Sequence, residues 1–65
     1  MNKYLVFWQT KPSPGFPFYK GQENVWADST EDAEYIALRE VNRRLFPEYR
    51  SVSHLKTTII MELES

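Results

Sequence analysis

Apolar and polar positions divide the chain into four elements with two different periods. From Tyr4 to Thr10 aromatic and β-branched residues dominate, with Leu5 and Phe7 on one parity and Tyr4, Val6 and Trp8 on the other. A strand over about residues 3–10 would therefore be apolar on both faces, which places it at the centre of a sheet. Tyr19 to Ala27 reads as a second strand over about 19–27. It is weak at Gly21, which marks a bulge or a further small turn, and firmer at Val25, Trp26 and Ala27. From Asp28 onward the period lengthens. At ~100° per residue Ala33, Ala37, Leu38, Val41 and Leu45 share an arc of about 140°, with Ile36 at its margin, so residues 29–46 read as a helix with a sheet-facing stripe. After a polar connection from Glu48 to Ser53, Leu55, Thr57, Ile59 and Met61 alternate with Lys56, Thr58, Ile60 and Glu62, a third strand over about 54–62 with one parity more apolar than the other.

The connections agree with these elements. Lys11-Pro12-Ser13-Pro14-Gly15-Phe16-Pro17 cannot donate a regular strand ladder, and Gly15 offers a positive φ, so residues 11–18 form a stiff hairpin loop. Helix entry carries two alternative capping boxes, Asp28 with Glu31 or Ser29 with Asp32, and four acids sit at the positive end of the helix dipole. Helix exit is marked by Arg39, Arg43 and Arg44 and then Phe46-Pro47. The order is ββαβ: an α+β domain over residues 1–65 with one helix on one face of a three-stranded sheet. A short crossover through one helix places the third strand beside the first, giving spatial order 2-1-3 and a mainly antiparallel sheet. Parallel placement beside the second strand is the alternative.

Length and composition then narrow the function classes. The chain has 65 residues, no Cys, one His and a net charge of -1. A domain of about 60 residues buries only roughly 60% of its unfolded surface, so its stability is marginal. No disulfide framework or Cys/His metal site can be written from this composition, and no cofactor is expected. The apolar stretch near the start ends at Gln9, short for a signal segment or a span, so the expectation is a soluble cytoplasmic protein with no membrane partner. The near-neutral balance leaves electrostatic function to local patches. The carboxylates cluster where capping already accounts for them, His54 has no evident nucleophile or orienting acid, and no Gly-rich phosphate loop occurs. The sequence reads as non-enzymatic.

What remains is surface. One helix covers one side of the sheet, and the first strand, joined by Trp26 and Ile60, leaves an apolar second side that is covered by the Pro-rich loop and tail, left wet, or used as a homodimer or protein-partner interface. The third strand, if at the edge, offers unpaired backbone groups to a second copy or a partner strand, unless Lys56 and the glutamates guard it. On the outward side of the helix Tyr35, Arg39, Asn42, Arg43 and Phe46 fall within roughly 80° of one another, a docking face or a solvated face with an internal Tyr35–Arg39 contact. The candidate partner-binding residues are therefore Tyr4, Trp8, Trp26, Tyr35, Arg39, Arg43 and Phe46. Arg43, Arg44, Arg50, His54 and Lys56 gather in sequence around the helix exit. Dipole complementarity accounts for that polarity, and Arg43, Arg44, Arg50 and Lys56 are the candidate contacts of the alternative, a small nucleic-acid-binding module. Lys11, Pro14 and Pro17 match the loose spacing of polyproline ligands of SH3 domains, as a stiff hairpin connection also would.

At Phe7-Trp8, at Trp26-Ala27-Asp28-Ser29-Thr30-Glu31-Asp32-Ala33 and along the helix, the layout resembles the small ββαβ inhibitors of host RNA polymerase made by T7-like phages. It also resembles the small ββαβ archaeal ribosomal proteins of the LX type. The likeness covers about two thirds of the chain and its one local motif is a strand end followed by a helix cap. The Pro-rich loop and the arginine-rich helix exit depart from both patterns. The resemblance implies a ββαβ fold and a phage or mobile-element accessory protein or inhibitor that docks on a larger protein.

Overall fold

Two antiparallel pairings on either side of one strand organise the protein, whose computed structural model describes residues 1–64. The elements are β1 (Asn2–Thr10), β2 (Lys20–Ala27), α1 (Thr30–Leu45) and β3 (Leu55–Glu64), and the sheet order is β2-β1-β3. The ββαβ architecture, the central first strand and the antiparallel third strand all follow the sequence reading, and the parallel alternative is excluded. Strands of this length explain the elongated body of 40 × 19 × 15 Å, since a nine-residue strand spans about 30 Å.

Pairing register decides which side chains α1 covers. In the hairpin Asn2 lies opposite Ala27 and Gln9 opposite Lys20, so odd residues of β1 share a face with even residues of β2. Tyr4, Val6, Trp8 and Thr10 then sit with Val25 and Ala27 beneath the helix, and all six are buried. Trp26 falls on the other side, in register with Lys3. Along β3 the register with β1 shifts twice, once between Phe7 and Trp8 and once between Lys3 and Tyr4, so Thr58 and Leu63 are extra residues. Each bulge reverses the parity of the strand. Leu55 and Thr57 face the helix before the first bulge and Ile60 faces it afterwards, where it packs on the core. Ile59, not Ile60, is therefore the isoleucine on the uncovered face.

Helix α1 starts at Ser29, whose φ of -153° and ψ of 168° are extended and whose Oγ accepts the Asp32 N–H at 3.2 Å. Of the two candidate capping residues, Ser29 and not Asp28 is the N-cap. Ala33, Ala37, Leu38 and Val41 are buried against the sheet, and the alanines let the helix cross it closely. Leu45 departs from the anticipated stripe and is 47% exposed, because the last turn hands its core position to Phe46. At Phe46 the backbone leaves helical geometry (φ -133°, ψ 55°) while its N–H still donates to the Asn42 carbonyl at 2.8 Å. The 100° rule that put Phe46 on the outer face no longer applies there. Its ring turns inward and is only 6% exposed.

The Pro-rich loop closes the same end of the core. Ser13-Pro14-Gly15-Phe16 is a turn with Pro second and Gly15 third at φ 79°, closed by the Phe16 N–H donating to the Ser13 carbonyl at 3.1 Å, the type II arrangement. Phe16 packs with Phe46, Tyr49 and His54 at ring-centroid distances of 5.7, 5.7 and 5.8 Å. The loop therefore caps the helix-side core and leaves the other sheet face uncovered. Gly21 is neither bulge nor turn: it pairs regularly with Trp8, whose indole fills the space where a Cβ would meet Cζ2 at 2.9 Å.

Candidate functional site

The uncovered sheet face is built by alternation and by the first β3 bulge together. Its rows across the sheet are Asn24–Leu5–Met61 and Gln22–Phe7–Ile59, flanked by Trp26–Lys3–Glu64 at one end and Lys20–Gln9–Lys56 at the other. Leu5 and Phe7 are half-buried by their neighbours, while Trp26 is 50% and Ile59 54% exposed, with Met61 similar. The result is an apolar stripe along β1 and β3 with Trp26 at one corner, amides along the β2 side and lysines near both ends. A shallow depression of about 450 Å³ opens among Phe7, Gln9, Lys20, Gln22 and Thr58.

This face is not made of the residues that parity alone selected. Tyr4 and Trp8, named as partner-binding candidates, are each 4% exposed and lie under α1. With both parities of β1 apolar, only the hairpin register distinguishes the covered side from the open one. Trp26 is on the open face as expected, but its companions are Leu5, Phe7, Ile59 and Met61. The odd parity of the register and the bulge at Thr58 are the features that sort them, and neither is written in a local motif.

A second concavity, about 750 Å³, lies between the outer side of α1 and the connection that follows it. Tyr35, Arg39, Glu40, Arg43, Tyr49 and Arg50 line it. The connection is held against the helix by Asn42 Nδ2, which donates to the Tyr49 carbonyl at 3.0 Å, and by the Tyr49 N–H, which donates to the Phe46 carbonyl at 3.0 Å. Four of the five outer-face residues, Tyr35, Arg39, Asn42 and Arg43, thus share one groove, whereas Phe46 is buried in the core.

Two of the three arginines of the groove have side-chain partners there, and one of those partners, Glu40, carries the opposite charge. Arg39 Nη1 donates to Tyr35 Oη at 2.9 Å and its guanidinium carbon stands 5.5 Å from the Tyr35 ring centroid, a hydrogen bond and cation–π contact one helical turn apart. The Tyr35 hydrogen bond holds the Arg39 pKa above its ordinary value. Arg43 Nη2 donates to both Glu40 carboxylate oxygens, at 2.6 and 3.0 Å, and this hydrogen bond, reinforced by the charge, keeps the Glu40 carboxyl below the usual carboxylate range. Arg50 makes no ion pair among the described residues.

The basic cluster proposed from sequence does not come together as one patch. Arg44 reaches across to β2 and pairs with Glu23, whose hydrogen bond raises the arginine pKa. Arg43 and Arg50 line the groove on another side of the helix, and Lys56 lies on the open sheet face beside Gln9. Consecutive helical positions diverge by about 100°, which separates Arg43 from Arg44.

His54 is enclosed rather than offered. Its ring lies 4.5 Å from that of Tyr49 and 5.2 Å from that of Phe46, and both ring nitrogens are buried without a hydrogen-bond partner among the described residues. Among the described residues no three His, Asp or Glu side chains are grouped as a metal site, and no helix is long and apolar enough to cross a membrane. No protein-family model, no curated protein and no solved structure matches this chain. The fold is defined at the level of class, an α+β ββαβ layout with an open three-stranded sheet. The likeness to phage polymerase inhibitors and LX-type ribosomal proteins is one of element order alone, and transfers no residue's role.

Proposed function

We propose that this protein is a non-enzymatic interaction module that docks a protein partner on the open face of its sheet. The observation that carries this reading is the run of Leu5, Phe7, Trp26, Ile59 and Met61 on a side that neither the helix nor the Pro-rich loop covers. Exposing apolar side chains together on so small a body keeps them from contributing to an already limited core, and contiguous apolar patches rimmed by polar groups mark association surfaces. The rim supplies the polar part: Gln22 and Asn24 along β2, with Lys3, Lys20 and Lys56 near the ends. An accessory or inhibitory role in phage or mobile-element biology is compatible with such a module and rests on the layout likeness alone.

Site-specific photocrosslinking in cells of the protein's own source tests the reading. A crosslinking side chain at Ile59 or Trp26 should form one discrete adduct with a protein, and the same group at Arg39 or Arg50 should not. Adducts from the groove positions alone would overturn it.

The second reading is nucleic-acid binding in the groove, where Arg39, Arg43 and Arg50 stand with Tyr35 and Tyr49. Arginine beside tyrosine is the chemistry of phosphate contact and base stacking. It is weaker, because Arg39 is engaged by Tyr35 and Arg43 by Glu40. A salt titration with short single-stranded oligonucleotides decides it: no salt-sensitive affinity at low ionic strength removes this reading.

A further inference from the structure

We propose that β3 pairs antiparallel with β3 of a second copy, centred on Ile60, so that two three-stranded sheets join into one of six. The pairing uses the strand's free backbone edge and goes beyond the docking face, which it leaves open.

Three observations single out this occupant and this register. First, β3 runs for ten residues at the edge of the sheet, hydrogen-bonded to β1 on one side and to no strand on the other among the described residues. Unpaired edge groups of that length are a template for another strand. Second, the strand is charge-polarised along its length, with Lys56 near its start and Glu62 and Glu64 at its end. An antiparallel copy lays the basic end of each strand on the acidic end of the other, and the strand is its own complement.

Third, the two bulges select the register, because they leave Lys56 and Glu64 on one face and part Lys56 from Glu62. In a regular strand Lys56, Ile60 and Glu64 would all share one face. Here Ile60 faces the helix side, while Lys56 and Glu64 are in register with Gln9 and Lys3 on the open side, since one bulge lies on each side of Ile60. Centring the pair on Ile60 therefore sets Lys56 of each copy opposite Glu64 of the other with both side chains on the open face. It also brings Ile59 opposite Met61 of the other copy, extending the apolar stripe across the junction. Centring on Ile59 would match Lys56 with Glu62, but those two project to opposite faces. Glu62 is moreover already engaged, accepting from Asn2 Nδ2 at 2.9 Å.

Lysine on an edge strand and bulges within it are also the devices by which edges are guarded against pairing. The acids at the far end favour pairing with a copy, because an antiparallel β3 meets Lys56 with an acid where it would otherwise bury an unmatched charge. In the paired state two Lys56–Glu64 contacts form per dimer, and a single reversal turns both repulsive at once.

Sedimentation velocity of the whole chain at low ionic strength, over a wide concentration range, tests the pairing. The expected result is a reversible monomer–dimer equilibrium. Lys56→Glu should weaken it by about tenfold or more, and Lys56→Glu with Glu64→Lys should restore it, since the swapped strand is again self-complementary. Far-ultraviolet circular dichroism confirms that each variant remains folded. Trp26→Thr, on the far edge strand, should leave the equilibrium unchanged. A strict monomer at all concentrations would overturn the edge pairing and leave the docking face standing. So would a double variant no better than the single one. A dimer abolished by Trp26→Thr would replace edge pairing by face-to-face association.

Discussion

Thr10 is fully buried, and its hydroxyl does what a ladder carbonyl would do in a longer hairpin. Thr10 Oγ1 accepts the Tyr19 N–H at 2.9 Å while the Thr10 N–H donates to the Tyr19 carbonyl at 2.9 Å, so the neck of the Pro-rich loop is closed on both sides. Thr10→Val keeps the shape and removes the acceptor. It should cost about 1–2 kcal/mol, the penalty of an unpaired, partly buried amide, and Thr10→Ser should keep most of that stability. The check is the urea midpoint of the three proteins at constant m-value. His54 is the opposite case, a polar ring in an aromatic nest whose nitrogens have no partner among the described residues. Phe in its place retains the stacking against Tyr49 and removes the unmet hydrogen-bonding groups. His54→Phe should therefore raise stability by about 1 kcal/mol, read as a higher urea midpoint. A lower midpoint would show that the ring finds a partner in solution.

The helix is the element whose limits and orientation were most legible in the sequence. Ser29 donates no side chain to the core, so Ser29→Ala isolates the cap and should cost about 1 kcal/mol, while Ser29→Asp should be close to neutral because Asp also accepts from the Asp32 N–H. Thermal unfolding followed by circular dichroism checks both. Legibility ends where a residue's neighbours in space, rather than in sequence, fix its side. The two parities of β1 were equally apolar, so Tyr4 and Trp8 could not be told from Leu5 and Phe7 before the register with β2 was known. The bulge at Thr58 carries no Gly or Pro signal, and missing it exchanged Ile60 for Ile59. Phe46 was misplaced because one non-helical C-cap residue turns a periodic argument by most of a half-circle. The strand order, by contrast, agrees with the placement a short crossover suggests: one helix returning from an outer strand reaches the free side of the central one. The groove was half legible, since Tyr35, Arg39 and Arg43 follow the helical period but Tyr49 and Arg50 arrive on an irregular connection that has none.

At the scale of the whole molecule the two tryptophans report the two sides of the sheet. Trp8 lies against Gly21 under the helix and Trp26 stands half exposed on the open face, so the protein divides its indoles between a covered and an uncovered side of one layer. Iodide should quench part of the fluorescence readily and leave the rest nearly untouched. Trp26→Thr should remove the accessible fraction alone. The same variant, combined with Ile59→Thr, replaces two exposed apolar groups by a β-branched polar residue suited to a strand. Stability should then change by less than about 1 kcal/mol, because neither side chain belongs to either buried cluster, while binding of an apolar dye should fall sharply. That combination separates two uses of the same kind of residue. If the open face contributed to the core, the double variant would unfold more easily. If it is kept for association, stability is retained and only contacts with other molecules are lost. A fold this small can assign Trp26 and Ile59 to the outside only because Trp8, Val41, Phe46 and Leu55, tied down by Phe16 from the Pro-rich loop, complete the core on the other side.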